Sequence, residues 1–211
     1  MLVDIVRRTV EELVEKERVR EEALQKARRA RILSKQSILL IHEGDLQQAD
    51  MMIKEARRLL AEAKNQIRDH GISPFEEVYE AEEEHAEASA LYGLKTSGLF
   101  PNPEDLGVSL ESYILGVGDV IGELRREVLE CLRLGMIERA EEDLKLMERI
   151  YLDLLSLEEA SLLLKGLRRK LDVARGVIEA TRGEVTSELA RARLGASIQR
   201  LVEKLEKLDI R

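Results

Sequence analysis

Two pairs of carboxylates have the spacing of a metal site. Glu84 and Glu87 lie three residues apart in the stretch Glu80-Ala-Glu-Glu-Glu-His-Ala-Glu-Ala-Ser-Ala. Asp119 and Glu123 lie four apart in Tyr113-Ile-Leu-Gly-Val-Gly-Asp-Val-Ile-Gly-Glu-Leu. Residues three or four apart share one face of a helix, so two such helices could gather four oxygen-bearing side chains. Carboxylates held together repel, and they do not all stay ionised unless a cation sits among them. Hard oxygen ligands, with one cysteine and three histidines in the whole chain, suit Mg²⁺ or Mn²⁺ rather than zinc. A site of that kind activates a water and neutralises a phosphodiester transition state. Spacing alone leaves a plainer alternative open, because a glutamate-rich helix is most often a solvated face. A second metal reading rests on Glu82-x-x-His85, the spacing of ferritin-like di-iron bundles. Those bundles need two such motifs, and neither His42 nor His70 has an acid three residues upstream.

The other residues with chemical potential are basic. Lys26-Ala-Arg-Arg-Ala-Arg-Ile-Leu-Ser-Lys places Arg28, Arg31 and Lys35 on one helical stripe with Arg29 beside it. Arginine forks match phosphate geometry, although a solvated helix face also accounts for such a run. Arg168, Arg169, Lys170 and Arg175 form a smaller second cluster. There is no phosphate-binding glycine loop, no Gly-x-Ser-x-Gly elbow and no Cys/His zinc spacing, and Cys131 lacks an evident base partner. Two Phe, four Tyr and no Trp exclude a base-stacking platform, so any RNA would be held through its backbone.

Helical periodicity is readable over nearly all of the chain and supplies the elements that must position these groups. The first helix is expected from about Leu2 to Ile41, ended by Gly44, with Asp45 capping the next. The second runs to about Arg68. Ser73 and Pro74 then read as the cap and first turn of a third helix, roughly Phe75 to Tyr92. Lys95 to Val108 reads as a loop, and Ser109 or its neighbours open a fourth helix ending near Gly135. A fifth is expected from Met136 to about Leu157 and a sixth from about Glu159 to Arg182, ended or bent by Gly183. The last, Ser187 to Leu208, carries Leu194, Ile198, Leu201, Leu205 and Leu208 in a two-heptad seam, suited either to a partner helix or to its own domain. Gly116, Gly118 and Gly122 inside the fourth helix each cost about 0.8–1 kcal/mol relative to alanine, a sign that something packs tightly there.

Composition bounds the fold. The chain has 211 residues, 36% charged and 3% aromatic, with 13 Gly and 3 Pro. An all-β architecture needs aromatic and β-branched strands with frequent turns, and is excluded. The expected fold is all-α, a single-domain bundle of about six to seven helices, with residues 1–185 as the helical domain and 186–211 as the heptad-patterned helix. The longest apolar run, Ile38 to Ile41, is far short of the roughly 20 residues of a membrane span. Asp4, Arg7 and Arg8 interrupt the first apolar stripe, which argues against a signal peptide. A cytoplasmic protein without a membrane partner is the expectation. The net charge of −8 argues against a general nucleic-acid binder. It conceals a segregation, however, with eight basic residues against three acidic ones from Lys16 to Lys35, and seven glutamates with no Lys or Arg from Glu76 to Ala88.

The fourth-helix stretch from Tyr113, continuing to Arg125-Arg126, resembles the signature Asp-Tyr-Leu-x-Gly-Val-x-Asp-x-x-Gly-Glu-Leu of the translin and TRAX (translin-associated factor X) proteins, with Ser112 in place of the leading aspartate. The basic first helix, Ile41-His-Glu-Gly-Asp after it, and Leu167-Arg-Arg-Lys-Leu-Asp-Val-Ala-Arg-Gly-Val-Ile-Glu are similar as well, so the resemblance spans about residues 5 to 185. The TRAX pattern of catalytic acids falls on Glu84, Glu87, Asp119 and Glu123. All four are acidic here, which implies the catalytic, TRAX-like type, in the form of a prokaryotic or archaeal homologue in which one chain supplies both grip and catalysis. The resemblance implies a Mg²⁺-dependent endoribonuclease (Mn²⁺ an alternative ion) acting on single-stranded RNA, with single-stranded DNA as another ligand. It also implies a homo-oligomeric, octameric shell. On this reading Glu84, Glu87, Asp119 and Glu123 hold metal and catalyse, while Arg28, Arg29, Arg31 and Lys35 hold nucleic acid. The alternatives are a non-catalytic nucleic-acid-binding oligomer of the translin kind, and a helical assembly protein that uses the heptad tail.

Overall fold

A computed structural model describes residues 1–157 and 164–209, with side chains as far as Glu206. Among the described residues there are seven helices and no strand: α1 (Leu2–Glu43), α2 (Leu46–Asp69), α3 (Glu76–Thr96), α4 (Pro103–Leu106), α5 (Leu110–Arg133), α6 (Ile137–Leu155) and α7 (Leu167–Asp209). The all-α expectation holds. No described helix is long and apolar enough to cross a membrane. The chain forms two compact units, Met1–Val120 and Ile121–Arg211, so α5 begins in the first and ends in the second.

In the first unit α1 packs on α2 and α3, and α2 packs on α3. The core between them is built largely from alanine. Ala23, Ala27, Ala30, Ala56, Ala63 and Ala81 are all fully buried, with Leu60, Ile67 and Val78 filling the remaining space. A helix surface of methyl groups lets backbones approach closely, so this core trades side-chain volume for short inter-helix distances. Gly44 ends α1 in the left-handed conformation at φ 83°, and the Asp45 side chain accepts a hydrogen bond from the Gln48 amide at 3.0 Å, as the sequence leads one to expect. At α3 the expectation needs correction. Phe75, not Ser73, occupies the capping position, and no side chain caps that end. The segment expected as a loop between α3 and α5 contains the single turn α4, started by Pro103 and closed by Gly107 at φ 71°. Ser109 does cap α5, its hydroxyl accepting from the Ser112 amide at 3.2 Å.

In the second unit α6 packs on α7, over a core that includes Leu144, Met147, Leu171 and Ile178. The start expected for the sixth helix, near Glu159, lies outside the described residues. From Leu167 onward there is one continuous helix, and Gly183 neither ends nor interrupts it. One exposed glycine costs less than the packing of flanking Thr181 and Val185, both buried. Residues 185 and 186 both lie within α7. Two apolar stripes stay exposed, Leu2, Ile5, Val10 and Leu13 on α1 and Leu194, Ile198, Leu201 and Leu205 on α7. The side chain of Leu208 lies outside the described part.

Candidate metal and nucleic-acid site

The basic turn of α1 lies against the acidic turn of α3. Burying Ala27, Ala30, Leu33 and Ser34 fixes the rotation of α1 and sets Arg31 and Lys35 beside the next helix. Arg31 donates from Nη1 to Oε2 of Glu80, and its Nε lies 3.6 Å from Oε2 of Glu84. Lys35 Nζ lies 3.5 Å from that same Glu84 oxygen. Arg28 and Arg29 are exposed on α1. Two of the four expected phosphate-binding cations are therefore paired with α3 carboxylates. Charge that is segregated along the sequence is joined in space.

Glu84 is the electrostatic centre of this cluster. Its side chain is 17% exposed. Burial pushes its carboxyl above the usual carboxylate range, Lys35 and Arg31 pull it back, and the negative charge of Asp119 adds to the rise. Asp119 is thus close enough for its charge to be felt at Glu84. The approach of α5 to α3 explains how. A Cβ on Gly116 would lie 2.9 Å from both the Glu87 amide nitrogen and the Ala86 methyl, and nearer still to the Glu83 carbonyl. Only glycine lets the two backbones meet there, which accounts for one of the three helix glycines. Gly122 is the opposite case, exposed with nothing within 4 Å of its Cβ position. Glu87 is buried on α3, Asp119 is half-buried, and Glu123 lies one turn further along α5, half-buried within the second unit.

Among the described residues no three His, Cys, Asp or Glu side chains converge as a metal-holding group. Mg²⁺ does not require three, since it keeps several waters and is usually bound by one or two carboxylates together with substrate phosphates. Glu84 and Asp119, oxygen donors on adjoining helices, have the right chemistry for that ion. The di-iron alternative fares worse. Glu82 is 2% exposed and already committed, accepting from Lys64 Nζ, from the Ser109 amide at 3.1 Å and from the Ser109 hydroxyl at 2.8 Å. Lys64 also donates to the Gly107 carbonyl at 2.8 Å. This network ties α2, α3 and the start of α5 together. His85 is fully buried, neither ring nitrogen has a hydrogen-bond partner, and burial holds it down at about 4.

Sequence reasoning missed two residues here. Glu80, one turn before Glu84 on the same face, is the main partner of Arg31. Its position was legible from the four-residue spacing, but its partner was not. Lys64 gave no signal, because it stands singly on an ordinary amphipathic helix.

No model of a known protein family matches the chain. The chain is 31% identical over 195 residues to the uncharacterized protein MJ0175 of Methanocaldococcus jannaschii, an alignment that spans 90% of this chain and 85% of that one. Among solved structures it is similar to AfC3PO, at 37% identity and a TM-score of 0.79 over 92% of this chain and 100% of that one. The AfC3PO–duplex RNA complex gives the same identity and TM-score, over 92% and 99%. For apo-NeC3PO the values are 29% and 0.78, over 87% and 96%.

Proposed function

Because the chain belongs to the translin/TRAX family, we propose that it is a Mg²⁺-dependent endoribonuclease that cleaves single-stranded RNA within a homo-oligomeric, octameric shell. The observation that carries this reading is the close approach of α5 to α3 at Gly116, across which the Asp119 charge is felt at Glu84, with Arg31 and Lys35 beside Glu84. Glu84 and Asp119 would hold the cation. Glu87, one turn from Glu84 on α3, and Glu123 are the further acids that the sequence resemblance implies for this role. When bound there, the cation supplies an activated water and neutralises charge on the phosphodiester. The chain's own cations do the rest: Arg28 and Arg29 take up backbone phosphates, while Arg31 and Lys35 place the polymer against the carboxylates. A C3PO relative is described in complex with duplex RNA, which supports RNA as the polymer; the single-stranded preference follows from the sequence resemblance. The two exposed apolar stripes support self-association, because such faces are normally covered.

One observation favours a second reading, a non-catalytic RNA-binding oligomer: the Glu84 carboxylate already has Lys35 and Arg31 beside it as counter-ions. A single experiment separates the two. Purified protein is incubated with end-labelled single-stranded RNA in Mg²⁺ and in EDTA, beside Glu84→Ala and Asp119→Ala proteins. Metal-dependent cleavage that either substitution reduces at least about 100-fold, with RNA still bound, supports the nuclease. Binding without cleavage in the unsubstituted protein supports the binder, and cleavage that survives both substitutions removes these carboxylates from the site.

A further inference from the structure

Resting on the cation site proposed above, we infer that Lys35 is an exchangeable counter-ion. It neutralises Glu84 while the site holds no divalent cation, is displaced when one binds, and then serves the phosphate backbone. The inference comes from an asymmetry between the two cations at Oε2 of Glu84. Arg31 is anchored elsewhere, through Nη1 on Glu80, and keeps that pair whatever happens at Glu84. Lys35 is held to Glu84 across 3.5 Å, and its side chain is 55% exposed against 40% for Arg31. It is the more readily detached of the two.

Geometry makes the exchange competitive. A Mg²⁺ ion bonded to that oxygen at about 2.1 Å would lie no farther than about 5.6 Å from Lys35 Nζ in its present position. That is inside the screening length of about 8 Å at physiological salt, and both charges are positive. A flexible four-carbon stem lets the ammonium swing into solvent without disturbing α1. Once detached it stands beside a site that binds phosphodiesters, with its charge no longer neutralised. Cation binding and backbone binding are thereby coupled, each strengthening the other by the same factor.

The test reads binding rather than turnover. Mn²⁺ affinity is measured by electron paramagnetic resonance on the nucleic-acid-free protein, for wild type, Lys35→Met, Lys35→Arg and Glu84→Gln. Removing the competitor should tighten Mn²⁺ binding in Lys35→Met about two- to fivefold, the range expected for loss of a part-exposed ion pair. Lys35→Arg should match wild type, and Glu84→Gln should lose the site. In a second arm, saturating Mn²⁺ should strengthen binding of a single-stranded oligothymidylate by a larger factor in wild type than in Lys35→Met, where only the direct metal–phosphate contact remains; equal factors overturn the release of Lys35 to the backbone. If wild type binds Mn²⁺ through Glu84 but Lys35→Met binds equally or more weakly, the counter-ion role is overturned while the metal site stands. If wild type binds no Mn²⁺, the metal site and the counter-ion role fall together.

Discussion

Gly116 of α5 stands so close to α3 that a methyl group on it would lie 2.9 Å from the Glu87 amide nitrogen. That contact is what brings Asp119, one turn along α5, within electrostatic reach of Glu84. Gly116→Ala must force the helices apart, and overpacking of this kind costs roughly 1–3 kcal/mol. Gly122→Ala on the same helix meets nothing and should stabilise by up to about 1 kcal/mol. Thermal unfolding of the two variants should therefore shift in opposite directions, and equal shifts would show that the α3–α5 contact is not tight.

The buried network under the site has a measurable cost of disruption. Lys64→Met leaves the 2%-exposed Glu82 carboxylate without its ammonium partner, which should destabilise by roughly 2–4 kcal/mol. Adding Glu82→Gln removes the stranded charge and should restore part of that loss. Urea unfolding of the single and double variants reads the difference, and a Lys64→Met protein as stable as wild type contradicts the role given to the pair.

Acid should act through His85. Burial holds this imidazole down at about 4, against an ordinary value of 6.5, with Arg57 adding to the depression and Glu82 opposing it. The folded state therefore keeps His85 neutral where the unfolded chain already binds a proton. Its contribution is fully present above about 6.5 and is lost as pH falls toward 4, by about 3 kcal/mol at 1.36 kcal/mol per pH unit. Melting temperatures measured across that window should fall in wild type and fall less in His85→Leu.

The exposed basic pair should report on the polymer. Replacing Arg28 and Arg29 together with alanine should weaken single-stranded RNA binding and flatten its salt dependence by about 1.4 in the log–log slope, at about 0.7 per phosphate contact. An unchanged slope would place the backbone elsewhere on the chain.

Much of this protein's architecture is legible in its sequence. Helix-long apolar periodicity with few breakers gave all-α, and Gly44 with Asp45 marked the α1–α2 corner, because glycine and aspartate signal through local backbone chemistry. Ser73 misled, since a capping residue acts only if the chain enters the helix at that residue, and here it enters at Phe75. Gly183 misled because one helix glycine is a small local cost that flanking burial overrides.

By itself the sequence determined which side chains carry charge, how they are spaced along each helix, and that the fourth helix needed a close neighbour. The tertiary structure decided who stands opposite whom. Helix rotation is set by burial of Ala27, Ala30 and Leu33, and that rotation puts Lys35 and Arg31 against Glu84 rather than in open solvent. It also turns a glutamate-rich segment, which by composition reads as a solvated face, into a helix with Glu82, His85 and Glu87 buried. Spacing within a helix is local and survives in the one-dimensional chain. Pairing between helices depends on how faces of methyl groups and glycine dock, and that exists only in three dimensions.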